Sequence, residues 1–302
     1  MHTCILINPN AGSANAAEAV RSQAASSDGV VCRTSPDPST VDRLVEQAVH
    51  DGAERVVAAG GDGTVNSVLN AIRRRHVDVQ LGLVPLGTGN DLARTLAIPN
   101  ALESALAVAT RGSARLVDLY VVRWAGSSRF GINVAAGGFS GQVDEALSDD
   151  LKAAWGPMAY LVGAAQVIPN LEKYTTHISV DGGARQRIQA LNIVVANGRT
   201  AAGGRPVAPP ANPCDGLLDV VIVKQGKASE LAKVATQLVT GNYLESPLVT
   251  HQRVRHIAVA SEPGMWFNVD GELITNEPLS IEVMPRAQSM IVGPTFQPSP
   301  AR

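Results

Sequence analysis

Apolar positions in the first third of the chain fall into short blocks separated by longer amphipathic stretches. The blocks at 3–7, 30–33, 55–59 and 81–84 have the length and composition of strands buried on both faces. Between and after them, residues 14–25, 41–49, 65–74, 92–96 and 102–110 read as helices with one apolar face. Such alternation predicts a parallel sheet covered on both sides, with ligands received at the carboxyl ends of its strands. From residue 119 the texture changes. Strand-like runs at 119–124, 129–135, 176–180, 189–196, 218–223, 256–260 and 265–269 are interrupted by helical stretches only within 141–171 and 229–239. This predicts a mostly antiparallel β-sandwich, so the chain divides into an α/β domain over 1–118 and a β-rich domain over 119–285.

Composition is compatible with two buried cores, since 45% of 302 residues are hydrophobic and 17% charged. A net charge of −2 and no basic run longer than Arg73-Arg74-Arg75 argue against a nucleic-acid partner. That triplet closes a helix, where cations complement the dipole. The apolar run at 4–7 is too short for a signal-peptide core, and the segment 153–167 is broken by Gly156-Pro157 and Gly163, so a soluble or peripheral protein is expected. Cys4, Cys32 and Cys214 lack paired spacing, which fits a reducing cytoplasm.

The chemistry concentrates where strands end. Gly60-Gly61-Asp62-Gly63-Thr64 follows the block at 55–59, and Pro85-Leu86-Gly87-Thr88-Gly89-Asn90-Asp91 follows the block at 81–84. Glycines let main-chain amides approach phosphate oxygens, a helix N-terminus adds its positive dipole end, and a carboxylate can hold Mg²⁺ through water. One such loop alone reads more readily as a tight turn with Asp62 or Thr64 capping the next helix. Two of them point to a nucleoside triphosphate and its metal. The chain has neither a P-loop lysine motif nor the HRD and DFG elements of protein kinases, Gln142 breaks the nucleophile elbow around Ser140, and His251 and His256 lack zinc spacing.

These loops, with Asn8-Pro9-Asn10-Ala11-Gly12, residues 85–94 (PLGTGNDLAR), 137–141 (GGFSG), Ala196-Asn197-Gly198, 215–219 (DGLLD) and 267–272 (FNVDGE), run in the order of the diacylglycerol kinase catalytic-domain family. The chain resembles that family over nearly its whole length, and most closely its bacterial YegS-like lipid kinase branch. Ala11 departs from the serine often found in the first motif. The resemblance implies a fold of the NAD kinase and diacylglycerol kinase kind, with a cleft between the domains and residues 286–302 completing the first. It implies ATP and Mg²⁺ as cofactors, a membrane lipid as substrate and peripheral contact with the inner membrane surface. Nucleotide contacts carry over to Thr34, Gly60, Gly61, Asp62, Gly63, Thr64, Val65, Asn66, Gly87, Thr88, Asn90 and Asp91. Asp62, Asp91 and Asp118 would belong to a catalytic metal and water network, and Asn212, Asp215 and Leu217 to a structural Mg²⁺.

The catalytic carboxylate of the family falls on Asp270, with Glu272 beside it. Locally, Asp270-Gly271 reads as a hairpin turn. Extended geometry would instead point both carboxylates the same way, as a pair able to deprotonate a hydroxyl. Asn at position 270 would keep the size and turn-forming ability of Asp, so a slight effect on the fold is expected from that exchange. Apolar residues at 155–167 are a plain core helix or a contact for lipid chains. Two rival functions are a soluble-substrate kinase of the NAD kinase type and a catalytically silent lipid-binding protein. The PLGTGNDLAR segment speaks against the first, and the four carboxylates Asp62, Asp91, Asp270 and Glu272 against the second.

Overall fold

Strand β1 (Thr3–Ile7) enters a sheet in which every one of its residues is buried, as its unbroken apolar run requires. The computed structural model describes residues 2–13, 15–25, 27–138, 173–240 and 242–298. The helical stretch expected within 141–171, including 155–167, and Ser140 lie outside these residues. After β1 come α1 (Ala16–Ala24), β2 (Val30–Thr34), α2 (Val41–His50), β3 (Arg55–Gly60), α3 (Asp62–Arg75), β4 (Gln80–Pro85), α4 (Asp91–Thr95) and α5 (Leu102–Arg111). The strands pair in parallel in the order β2, β1, β3, β4. The chain leaves β1 in one direction to reach β2 and crosses to the other side for β3. That reversal lies between β1 and β3, so their carboxyl ends frame the crevice in which open α/β sheets bind ligands. Helix α3 begins at Asp62, three residues before the sequence pattern places it, because glycines at its start hide the helical period.

Arg55 opens β3 yet is only 2% exposed. Its guanidinium donates to Gln80 Oε1 at 2.8 and 3.1 Å and to the carbonyls of Ala109 and Gly112 at 3.0 Å each. It thereby supplies donors to the carbonyls left open at the end of α5 and fastens that helix to the sheet.

The remaining elements are β5 (Ala114–Trp124), β6 (Ser127–Gly131), β7 (Val134–Gly138), β8 (Tyr174–Val180), β9 (Gln186–Ala196), β10 (Leu218–Lys224), α6 (Ala228–Thr240), β11 (Val249–Val254), β12 (His256–Glu262), β13 (Phe267–Val269), β14 (Glu272–Thr275) and β15 (Leu279–Ile291). The chain forms two compact units, Met1–Leu119 with Pro285–Arg302, and Tyr120–Met284, and passes between them within β5 and β15. In the second unit the strands pair antiparallel in the order β14, β13, β7, β9, β8, β12, β15, with β10 joining β9 to β11. One core gathers Tyr120, Ile193, Leu218, Ile257, Phe267 and Ile281, and another packs Val194, Val221, Val234 and Tyr243. In the first unit β15 reaches β4 through Met290 and Leu81. The single strand expected over 129–135 is two, broken at Ile132 and Asn133. Strands β11 and β14 escape the sequence pattern because they interleave polar residues or are too short to show a period, while of β15 only its end, near 289–292, was expected, from the family resemblance.

Arg55→Met fills the space of the side chain but leaves the Ala109 and Gly112 carbonyls without these donors. Denaturant unfolding should show a loss of about 2–3 kcal/mol.

Candidate active site

At the crevice of the first unit, three loops close on one another. The Asn8 amide donates to the Ala59 carbonyl at 3.0 Å, its side chain donates to Thr64 Oγ1 at 3.0 Å, and its Oδ1 accepts the Asn10 amide at 2.9 Å. The Leu86 amide donates to the Gly60 carbonyl at 3.0 Å. Contact between the second and third loops is backbone on backbone: a Cβ at Gly87 would stand 2.7 Å from the Cα of Gly61. A Cβ at Gly60 would strike Thr64 Oγ1 at 2.3 Å. A side chain at Gly87 would push two loops apart, and one at Gly60 would displace Thr64, the acceptor of the Asn8 side chain.

Asp62 links the two glycine loops. Its Oδ2 accepts the amide of Asp91 at 3.0 Å and its Oδ1 that of Leu92 at 3.1 Å, so it caps α4 from the first residue of α3. The turn alternative for this loop had Asp62 or Thr64 capping the helix that follows, and Asp62 instead caps a different one. Asn90 takes a left-handed conformation at φ 50° and turns its side chain back on Gly87, accepting its amide at 3.0 Å and donating to its carbonyl at 2.5 Å. Helix α3 starts at Gly61 with no side-chain cap. The Thr64 and Val65 amides both donate to the Gly61 carbonyl, at 3.0 and 3.2 Å, and the positive dipole end of this 14-residue helix suits an anion. At Gly89 a Cβ would lie 3.1 Å from Asp62 Oδ2 and 3.5 Å from Asp91 Oδ2, so two carboxylates converge there. An all-oxygen pair of this kind suits a hard divalent cation.

The other expected nucleotide residues occupy varied positions. Gly63 lies in the first turn of α3, and Thr88 is exposed at the tip of its loop. Val65 and Asn66 are buried on α3, where Asn66 accepts from the Asn70 side chain at 2.9 and 3.0 Å. Thr34 is exposed at the end of β2, in register with Ile7, and its hydroxyl accepts from Arg21. Asp118 is fully buried on β5 and accepts the Arg286 amide at 2.7 Å.

In the second unit Asp270 and Gly271 form a two-residue turn between Val269 and Glu272, both with positive φ, the mark of a type I′ hairpin. The turn cancels the simple strand projection that put Asp270 and Glu272 on one face. Asp270 is 7% exposed and directs its carboxylate into the break between β6 and β7. Oδ1 accepts the amides of Asn133 and Val134 at 2.9 Å each and the Tyr120 hydroxyl at 3.0 Å, and Oδ2 accepts the Ile132 amide at 2.9 Å. Burial, and then the neighbouring Asp270, push the Tyr120 hydroxyl well above its ordinary pKa, so it stays a donor. Glu272 is half-buried on β14 and paired with Arg129. Tyr120, Arg129 and the 132–134 amides were missed by sequence reasoning; the weak apolarity at Gly131 and Asn133 was the one signal of a broken strand.

The loop expected to hold a structural cation is built from side-chain turns. Asn212 Oδ1 accepts the Cys214 amide at 3.0 Å, Asp215 Oδ1 accepts the Leu217 amide at 3.1 Å, and Asp215 Oδ2 pairs with Arg253. The oxygen donors suit Mg²⁺. No group of three His, Cys, Asp or Glu side chains gathers anywhere among the described residues, so such an ion would depend on carbonyl and water ligands.

Residues 2–122 match the diacylglycerol kinase catalytic domain, and residues 133–292 match the YegS C-terminal NAD kinase beta sandwich-like domain. The chain belongs to the diacylglycerol kinase family. A diacylglycerol kinase of Staphylococcus aureus is 33% identical over 227 residues, which is 75% of this chain and 70% of the relative. The crystal structure of a diacylglycerol kinase from Bacillus anthracis superimposes with a TM-score of 0.78 at 21% identity, over 98% of each chain. Yeast NADH kinase, solved with NADH, matches the fold with a TM-score of 0.54 at 12% identity, over 96% of this chain and 82% of the other. The expected resemblance and fold class both hold, and the protein is an enzyme of the lipid kinase class. No helix among the described residues of this lipid kinase is long and apolar enough to cross a membrane.

The Asp270 contacts overturn the expectation that Asn would be tolerated at this position. An amide must present its NH₂ to one of the donors that the carboxylate now accepts. Asp270→Asn should destabilise the second unit by about 1–3 kcal/mol, read from denaturant midpoints, and Asp270→Ala by more.

Proposed function

We propose that this enzyme transfers the γ-phosphoryl group of ATP to a hydroxyl of a membrane lipid, diacylglycerol, phosphatidylglycerol or a related acceptor, with Mg²⁺. The supporting observation is the start of α3, which has no side-chain cap at Gly61, beside the carboxylates of Asp62 and Asp91 that converge at Gly89. In this reading the amides and side chains of Gly60, Gly61, Gly63, Thr64, Gly87, Thr88 and Asn90 hold the phosphates. Thr34 contacts the nucleotide, while buried Val65 and Asn66 support the loop from behind. Asp62 and Asp91 hold Mg²⁺ directly or through water, and Asp118 extends that network. Bound there, the ion supplies positive charge against the phosphate oxygens. Enzyme and ATP meet the lipid at the cytoplasmic membrane surface as a peripheral complex.

Of the two carboxylates on the β13–β14 hairpin, Glu272 takes the acceptor role. The lipid oxygen bonds to the γ-phosphorus, the bond from that phosphorus to the β-phosphate oxygen breaks, ADP leaves, and the hydroxyl proton passes to Glu272. Asp270, already engaged by four donors, holds the hairpin against the 132–134 amides and acts by position. Asn212, Asp215 and Leu217 hold a second, structural Mg²⁺.

Incubating the protein with labelled ATP, Mg²⁺ and a total lipid extract should move label into an organic-extractable lipid, and chelation should stop it. Glu272→Gln should lower turnover by about 10²- to 10⁴-fold with little change in nucleotide affinity. NADP formation without labelled lipid would overturn the lipid-acceptor reading.

Asp215→Ala removes the Leu217 and Arg253 contacts as well as a cation ligand, so lower stability alone says nothing about metal. The informative measurement is the rise in thermal midpoint on adding Mg²⁺, which should be present in the wild type and reduced in the variant. An equal rise in both would leave the loop as an Asx turn alone.

A further inference from the structure

The face that β8, β12 and β15 turn away from the core holds a groove of about 770 Å³, wholly within the second unit and in the size range of small-molecule sites. Register explains its floor. Ile178, Ile257, Val259, Leu279 and Ile281 are buried in the core, so Ala258 and Ala260, with their partners Ser179, Ser280 and His177, face the other way. Most of these side chains are small, and the tip of the β5–β6 hairpin, residues 124–128, forms a wall beside them. Trp124 packs on the core from that tip and also lines the groove. The charge is one-sided. Arg123, Arg185 and His177 line the groove, and no aspartate or glutamate does so among the described residues, in a chain whose net charge is −2. Arg185 pairs with no carboxylate among the described residues, and Arg187, in register with His177, adds a further cation on the same face. Acids of this face stand at the margins: Glu282, the next outward residue after Ser280, pairs with Arg123 at 2.8 Å, and Glu262 is the next outward residue after Ala260.

We propose that this groove binds a phosphate ester, with Arg123 and Arg185 holding the anion and the apolar surface of Trp124, Pro278 and the two alanines receiving the body attached to it. Two guanidinium forks, an imidazole N–H and the hydroxyls of Ser127, Ser128 and Ser280 match the several oxygens of a phosphate. The groove is larger than a phosphate ion and its wall is apolar, which fits the acyl portion of a lipid phosphate better than a bare ion. A soluble ester such as glycerol 3-phosphate carries the same anion, so the two sources are separated by experiment. None of the lining residues takes part in the phosphoryl transfer proposed above.

The test uses the full chain with Trp155 and Trp266 replaced by Phe, so that Trp124 alone reports, and omits ATP and Mg²⁺, so that its outcome is separate from the kinase reading. Dioctanoyl phosphatidate, kept below its micelle-forming concentration, should change Trp124 emission saturably, and dioctanoylglycerol, which lacks the phosphate, should not. Arg123→Gln with Arg185→Gln should weaken binding by roughly 10- to 100-fold. Both arginines are exposed, so the thermal midpoint should stay unchanged and mark the fold as intact. Glu282→Gln releases Arg123 and should tighten binding by about 2- to 5-fold, a gain that a merely structural ion pair would not give. Glycerol 3-phosphate should bind roughly 10-fold more weakly than the lipid ester; equal affinity supports the anion site with a soluble ester as its ligand. No saturable response to either ester, or binding that survives the loss of both arginines, would overturn the proposal. So would octanoate or dioctanoylglycerol binding as tightly as the phosphatidate, since the phosphate would then contribute nothing.

Discussion

The carboxylate of Asp62 accepts two amides at the start of α4 from a position at the start of α3, and the geometry of the nucleotide-type loops follows from that bridge. A short helix of five residues, α4, has too few internal hydrogen bonds to define its own start. Once Asp62 caps it, the loop from Gly87 to Asn90 has both ends fixed. Asn90 can then fold back on Gly87, and Gly87 can pack on Gly61 at a distance no side chain would allow. With the Asp62 carboxylate committed to α4, α3 begins without a side-chain cap of its own.

The same device recurs in the second unit. Asp270 follows a strand, precedes a glycine and spends its charge on backbone amides, here those of residues 132–134. A strand that would otherwise run on from β6 to β7 breaks there, because the carboxylate offers its donors better acceptors than a partner strand could. Both aspartates resemble turn residues in sequence. Both act as distant caps, the first across 29 and 30 residues and the second across 136 to 138. A residue in such a position shapes a site strongly without being the group that reacts, which is why Glu272 and not Asp270 receives the proton in the proposed reaction.

The hairpin at 267–275 illustrates how one short element can serve two surroundings. Its inner face completes a core with Phe267, Val269 and Ile274, and its turn anchors the 132–134 amides through Asp270. Leu273 on its other face, and Trp266 just before it, are exposed.

Much was legible in the sequence because it is local. Strands such as Thr3–Ile7 and Arg55–Gly60 are uninterrupted apolar runs, glycines mark close backbone approach, and the order of strands and helices implies a parallel sheet with loops at one rim. The motif order was enough to reach the family. What only the tertiary structure decided depends on partners far along the chain. Asp62 caps α4 and not its own helix, Asp270 turns away from Glu272 to bind three amides, and Arg55 reaches the end of α5 from the first residue of a strand. Sequence periodicity records which face of an element is buried. It carries no information on which distant amide or carbonyl a polar side chain will meet, and hydrogen bonding is short-ranged and directional, so that choice exists only once the chain has folded.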